Sequence, residues 1–181
     1  MENDANQSNF INEKISKIVY LDFDGVLHDD AVYWHPKKGI YLATPGRKLF
    51  EWMYILEDLM NPYPDVRIVL STSWVRAKSY GYARLQLSKN LREKVIGATF
   101  HNREMQKIEF DLTSRGAQVW NDVLRRKPSD WIAIDNDENG WPSHCRSKLI
   151  LTHDRLGLSD PKIQIEIATA LRSMSKMQER I

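Results

Sequence analysis

Residues Lys17–Asp30 read KIVYLDFDGVLHDD, and the fold is decided there. The apolar run Ile18-Val19-Tyr20-Leu21 has the length and the β-branched, aromatic content of a buried strand. It runs directly into Asp22-Phe23-Asp24-Gly25. Side chains alternate across a strand, so Asp22 and Asp24 are expected on one side and Phe23 on the other. Gly25 permits a sharp turn immediately afterwards. Two carboxylates are thereby held close together at the C-terminal end of a strand, where open α/β sheets place their ligands. Such a pair repels unless a cation or a shared proton relieves it. A hard, oxygen-seeking ion such as Mg2+ is the natural occupant.

Outward from this strand the chain alternates. Val32-Tyr33-Trp34 and Ile40-Tyr41-Leu42 flank a Pro/Lys/Gly turn and predict a β-hairpin. Thr44-Pro45 has the form of a helix start, and Leu49, Trp52, Met53, Leu56, Leu59 and Met60 continue at helical spacing to Asn61-Pro62. Val66–Leu70 predicts a second buried strand, ending at Ser71-Thr72-Ser73-Trp74. A helix over 77–90, a short strand at 95–98 and a polar stretch to Ser114 are expected next. A helix over 115–126, a strand at 131–134 ending in Asp135-Asn136-Asp137, a strand at 148–151 and a helix over 161–176 complete the chain. Strands alternating with helices imply an α/β fold: a mostly parallel sheet with helices on both faces.

Composition narrows the function classes. The 181 residues, 42% hydrophobic and 10% aromatic, suffice for one domain over 17–181 with a real core. Residues 1–16 are polar and read as a loose tail without a signal-peptide core. A net charge of +2 permits an anionic substrate without demanding nucleic acid. The single cysteine, Cys145, excludes an internal disulfide and a Cys-rich zinc site. No apolar run approaches the roughly 18 residues of a membrane span. A cytoplasmic protein is expected, with no membrane association and no deducible protein partner.

D-x-D-G-V-L after an apolar strand resembles the first motif of the haloacid dehalogenase (HAD) superfamily, mostly Mg2+-dependent phosphatases and phosphotransferases. That resemblance implies a Rossmann-like three-layer fold. It implies Asp22 as the nucleophile that attacks phosphorus and Asp24 as general acid and base. Ser71 matches the Ser/Thr of the second motif, being first after the apolar run, with Thr72 and Ser73 as further substrate-binding candidates. Arg115, at the head of its helix, matches the third-motif cation, and Lys107 is the alternative. Asp135 matches the fourth motif, which would complete a Mg2+ site with Asp22 and the main-chain carbonyl of Asp24. The sequence departs from a paired-acid fourth motif, because position 136 is Asn; Asn136 or Asp137 could complete the site. Receiver domains also combine acidic residues, Ser/Thr and Lys around a phosphorylated Asp, but their acidic pair and that Asp lie on separate strands, whereas here D-x-D-G sits on one.

Only a hairpin and one helix lie between Gly25 and Val66, and nothing resembling a second domain lies between Ser73 and Arg115. This is similar to minimal-cap members, whose open sites admit phosphoproteins or nucleic-acid ends. L-S-T-S-W and a Trp-led fourth-motif strand are also similar to phosphatase-like domains found alongside RNA-repair modules. The expected partner is therefore a phosphorylated substrate, a small molecule or a nucleic-acid end. Tyr33, Trp34, His35, Lys37, Lys38, Trp74 and Arg76 could stack on bases and meet phosphates. The favoured reading of the tryptophans is packing of the hairpin onto the domain. His101, His144 and His153 lack metal-ligand spacing, and Cys145 has no base partner.

Overall fold

The computed structural model describes residues 17–101 and 105–176; the tail expected over 1–16 lies outside them. Five strands form one all-parallel sheet: β1 (Lys17–Leu21), β4 (Val66–Leu70), β5 (Val95–Ala98), β6 (Asp130–Asp135) and β7 (Leu149–Leu151), in the order β5-β4-β1-β6-β7. The expected hairpin is β2 (Val32–His35) paired antiparallel with β3 (Gly39–Leu42). In the helices, α1 covers Met53–Met60, α2 Ser73–Ala77, α3 Tyr80–Leu85 and α4 Lys89–Lys94. The remaining ones are α5 (Lys107–Leu112), α6 (Arg115–Arg126) and α7 (Pro161–Lys176).

Every residue of β1 is buried, as expected for a central strand covered on both faces. Its alternation sorts the core into two layers. Val19 and Leu21 pack with Leu56 and Met60 of α1, Leu91 of α4, and Ile163, Ile167, Leu171 and Met174 of α7. Ile18 and Tyr20 pack on the opposite face with Val119 and Val123 of α6. The result is the three-layer, Rossmann-like arrangement. Tyr20 also anchors α6 by a polar contact: its hydroxyl donates to Asp122 Oδ2 at 3.0 Å. Burial first, and the neighbouring Asp122 second, push that phenol far above its ordinary pKa. The Asp122 carboxylate, wholly buried, also pairs with Arg125 and Arg126.

Three expectations need correction. The helix expected from Thr44-Pro45 begins only at Met53. Gly46 (φ +77°) and Phe50 (φ +59°) take left-handed backbone, and Trp52 N–H donates to Leu27 O at 3.0 Å, so this segment folds back onto the first turn instead of coiling. The helix expected over 77–90 is three short helices. Ser79 and Ser88 break it, their side chains accepting the N–H groups of Tyr82 and Leu91 as N-caps. The polar stretch before Ser114 contains α5, which buries none of its residues and so carried no apolar stripe.

Candidate active site

Parallel register brings three strand ends together. Leu21 lies level with Leu70 on one side and Ile134 on the other, so Asp22, Ser71 and Asp135 follow at adjacent C-terminal ends of the central strands. This is the edge where an open α/β sheet binds ligands. Asp22 N–H still donates to Ile134 O and Ser71 N–H to Leu21 O, at 3.1 and 2.9 Å, holding that level. Gly25 then turns with φ +67°, and a Cβ there would come within 2.5 Å of the Asn136 side chain.

Asp22 and Asp135 are buried, and Arg115 from the head of α6 bridges them. Its Nη2 lies 3.3 Å from Asp22 Oδ2 and its Nε 3.3 Å from Asp135 Oδ2. Asp22 Oδ1 also accepts the Phe23 N–H at 2.8 Å. Burial raises the Asp22 pKa; Arg115 works against this, Asp24 adds to it, and the neighbouring Thr72 side chain helps to lower it. Burial raises Asp135 well above the usual carboxylate range, and the Asp22 charge reinforces the effect. Burial disfavours the Arg115 charge, but Asp22, Asp135, Asp137 and Asp24 outweigh it and raise its proton affinity.

Asp24 has other partners. The strand pairing of β1 ends at Leu21, yet the Asp24 charge still acts on both Asp22 and Arg115. Its carboxylate is held by Trp74 Nε1, 2.9 Å from Oδ1 and 3.1 Å from Oδ2, and by His28 Nε2, 3.1 Å from Oδ1. Neither His28 nor this use of Trp74 was read from the sequence. The only available signal was the i,i+4 spacing of Asp24 and His28. Trp74 is buried against Phe23 and Phe50, residues outside the hairpin, while Trp34 on the hairpin is 59% exposed and meets the domain at Lys78, whose Nζ lies over its ring.

Ser71 Oγ is buried and lacks a hydrogen-bond partner, whereas Ser73 is exposed. Ser73 and Arg115 line a cavity of about 380 Å³ with Arg76, Thr113, Gln118 and Asp137. Lys107 lies in the adjoining groove with Arg76, Lys78, Tyr80 and Phe100. Arg115 rather than Lys107 is therefore the cation set against the carboxylates. Asn136 donates to Asp154 Oδ1 at 2.9 Å, and Asp137 N–H donates to Asp135 Oδ1 at 3.0 Å.

A divalent cation fits this donor set. Asp135 Oδ2 is buried without a hydrogen bond, and one guanidinium faces two buried carboxylates. Among the described residues no group of three or more His, Cys, Asp or Glu side chains is placed to hold a metal. Two carboxylates plus a main-chain carbonyl fall short of that count, and the Asp24 carboxylate is committed elsewhere.

A Rossmann-like sheet with these acidic strand ends is consistent with a HAD-type fold. A family model described as the HAD domain in Swiss Army Knife RNA repair proteins matches residues 18–163, and the chain belongs to that family. The family match supports a phosphatase-like role. Domains of the superfamily generally use Mg2+. Comparison with curated proteins and with solved structures returned no match.

Proposed function

We propose that the protein is a Mg2+-dependent phosphomonoesterase acting through an aspartyl-phosphate on a phosphorylated nucleic-acid end. The observation that carries this reading is the buried pair Asp22 and Asp135 bridged by Arg115, with Asp24 beside them. The Asp22 carboxylate attacks phosphorus, and the bond from phosphorus to the leaving oxygen breaks as the new O–P bond forms. Asp24 gives its proton to that oxygen, then takes one from the water that cleaves the aspartyl-phosphate and restores Asp22. Arg115, Ser71 and Thr72 hold the equatorial phosphoryl oxygens. Asp22, Asp135 and the Asp24 carbonyl would hold Mg2+, which offsets the repulsion between phosphate and carboxylate when bound.

Several features support the choice of substrate. The described residues contain no cap beyond the hairpin, whose Tyr33 and Trp34 are 58% and 59% exposed. Lys78 Nζ lies 5.3 Å from the centre of the Trp34 ring, and the groove beyond it carries Arg76, Tyr80 and Lys107. Exposed aromatics beside cations suit stacked bases and a phosphodiester backbone. The family's RNA-repair setting points the same way.

The test is phosphate release from aryl phosphate, nucleotides, 3′- and 5′-phosphorylated oligonucleotides and a phosphopeptide, with and without chelator. Mg2+-dependent release, fastest on an oligonucleotide and abolished in Asp22→Asn, is expected. A faster phosphopeptide or free nucleotide would overturn the substrate, and full activity in Asp22→Asn would overturn the mechanism.

A further inference from the structure

His28 and Trp74 are buried polar side chains that the proposed chemistry leaves unused, and both end on Asp24. The His28 ring is fully buried, and its tautomer follows from its partners. Its Nδ1 faces the main-chain N–H of Phe50 at 3.2 Å, a group that can only donate. Nδ1 therefore accepts, and the ring proton sits on Nε2, directed at Asp24 Oδ1. Phe50 reaches this place only in left-handed backbone, at φ +59°. Such strain in a bulky residue persists where the surroundings over-determine it. Here the surroundings are aromatic. The Phe50 ring meets Phe23, His28 and Trp74 edge-on at 5.2, 4.9 and 5.4 Å between centroids.

We infer that His28 and Trp74 are positioning residues for Asp24, clamping its carboxylate so that Oδ2 carries the proton exchanged with the leaving group and with water. Oδ1 takes two donors, whereas Oδ2 shares only the longer limb of the Trp74 N–H. The Asp24 side chain is 20% exposed, so the acid that must meet substrate and water is open to them while its donors are not. A carboxylate free to rotate would meet the leaving oxygen in few of its orientations; one with Oδ1 tied down is already oriented. The inference rests on the phosphomonoesterase reading for its role, but not for its geometry.

Leaving groups separate this role from a structural one. An aryl phosphate expels a stable phenolate and needs little help from an acid, whereas an alkyl phosphate needs its oxygen protonated. General acid–base catalysis contributes about 10²–10⁴-fold, so loss of one clamp is expected to cost about tenfold. Trp74→Phe, which keeps a ring and removes the donor, should lower kcat/KM about tenfold on an alkyl phosphate and less than about threefold on an aryl phosphate. Equal losses on both substrates, or none on either, overturn the inference. A second readout needs no turnover: the indole N–H proton resonance of Trp74 should move upfield in Asp24→Ala. If the wild-type protein releases phosphate from no ester, the 3′- and 5′-phosphorylated oligonucleotides included, the phosphatase reading falls, and this resonance decides the clamp alone. An unmoved resonance overturns it.

Discussion

Charge crowding at single residues reaches beyond the site to Asp30, a residue exposed overall whose carboxyl is only partly desolvated. Its carboxyl is pushed up to about 6, first by burial and then by the charges of Asp154, Asp24 and Asp22. An unfolded aspartate titrates near about 3.9. The folded state therefore binds this proton more tightly than the unfolded chain, and stability falls as pH rises between those two values. Above that window the whole penalty is present. Asp30→Asn should raise the Tm of the metal-free protein at pH 7.5, and the gain should shrink towards pH 4. A gain that is constant across this range in thermal melts would show that Asp30 is not the titrating group. The same scale explains what the sequence concealed. Asp22 and Asp24 stood out because their spacing is local, and Asp135 because it ends an apolar run. Trp74 donates across 50 positions, and the His28 tautomer depends on a main-chain N–H at Phe50. No local pattern encodes either contact.

At the level of elements, α6 is the lever that sets the site, since Arg115 is its first residue. Gly116 lets it approach. A Cβ there would stand 2.5 Å from both the N and the Cα of Trp141, main-chain atoms that cannot rotate aside. Gly116 N–H also donates to Asn139 O at 3.0 Å, which fixes the helix head against the loop after β6. Gly116→Ala should therefore push Arg115 away from Asp22 and Asp135 and destabilise the fold by about 1–3 kcal/mol. Chemical denaturation and phosphate release check the two effects together; an alanine variant with unchanged stability and turnover would remove α6 as the lever. The strands of the sheet and the long helices were legible from composition and period, because each buries apolar residues; the hairpin buries none and was legible from aromatic-rich runs flanking a Pro/Lys/Gly turn. The segment between Thr44 and Trp52 was not. Its good capping residues are overridden by hydrogen bonds to Leu27 and His28, and a left-handed phenylalanine is not announced by residue type. Nor was α5, since a helix that buries nothing leaves no stripe to read.

Across the whole molecule, the sheet gathers like charges at one edge and leaves them underpaired. Asp22 and Asp135 share one guanidinium, Asp135 Oδ2 has no hydrogen bond, and both carboxyls are raised by burial. Folding without a cation therefore carries an electrostatic cost at the strand ends, offset by the apolar layers on the two faces of β1. A ligand that binds only the folded state stabilises it by mass action, by about 2.7 kcal/mol at a hundred times its Kd. Mg2+ should accordingly raise the Tm of the wild-type protein in proportion to the logarithm of its concentration once above its Kd, and chelator should reverse the rise. In Asp135→Asn the rise should largely disappear, because the amide replaces one of the two buried carboxylates that face Arg115. A wild-type Tm indifferent to millimolar Mg2+ would mean that Arg115 alone balances the pair, and the cation would then have to arrive with the substrate's own phosphate.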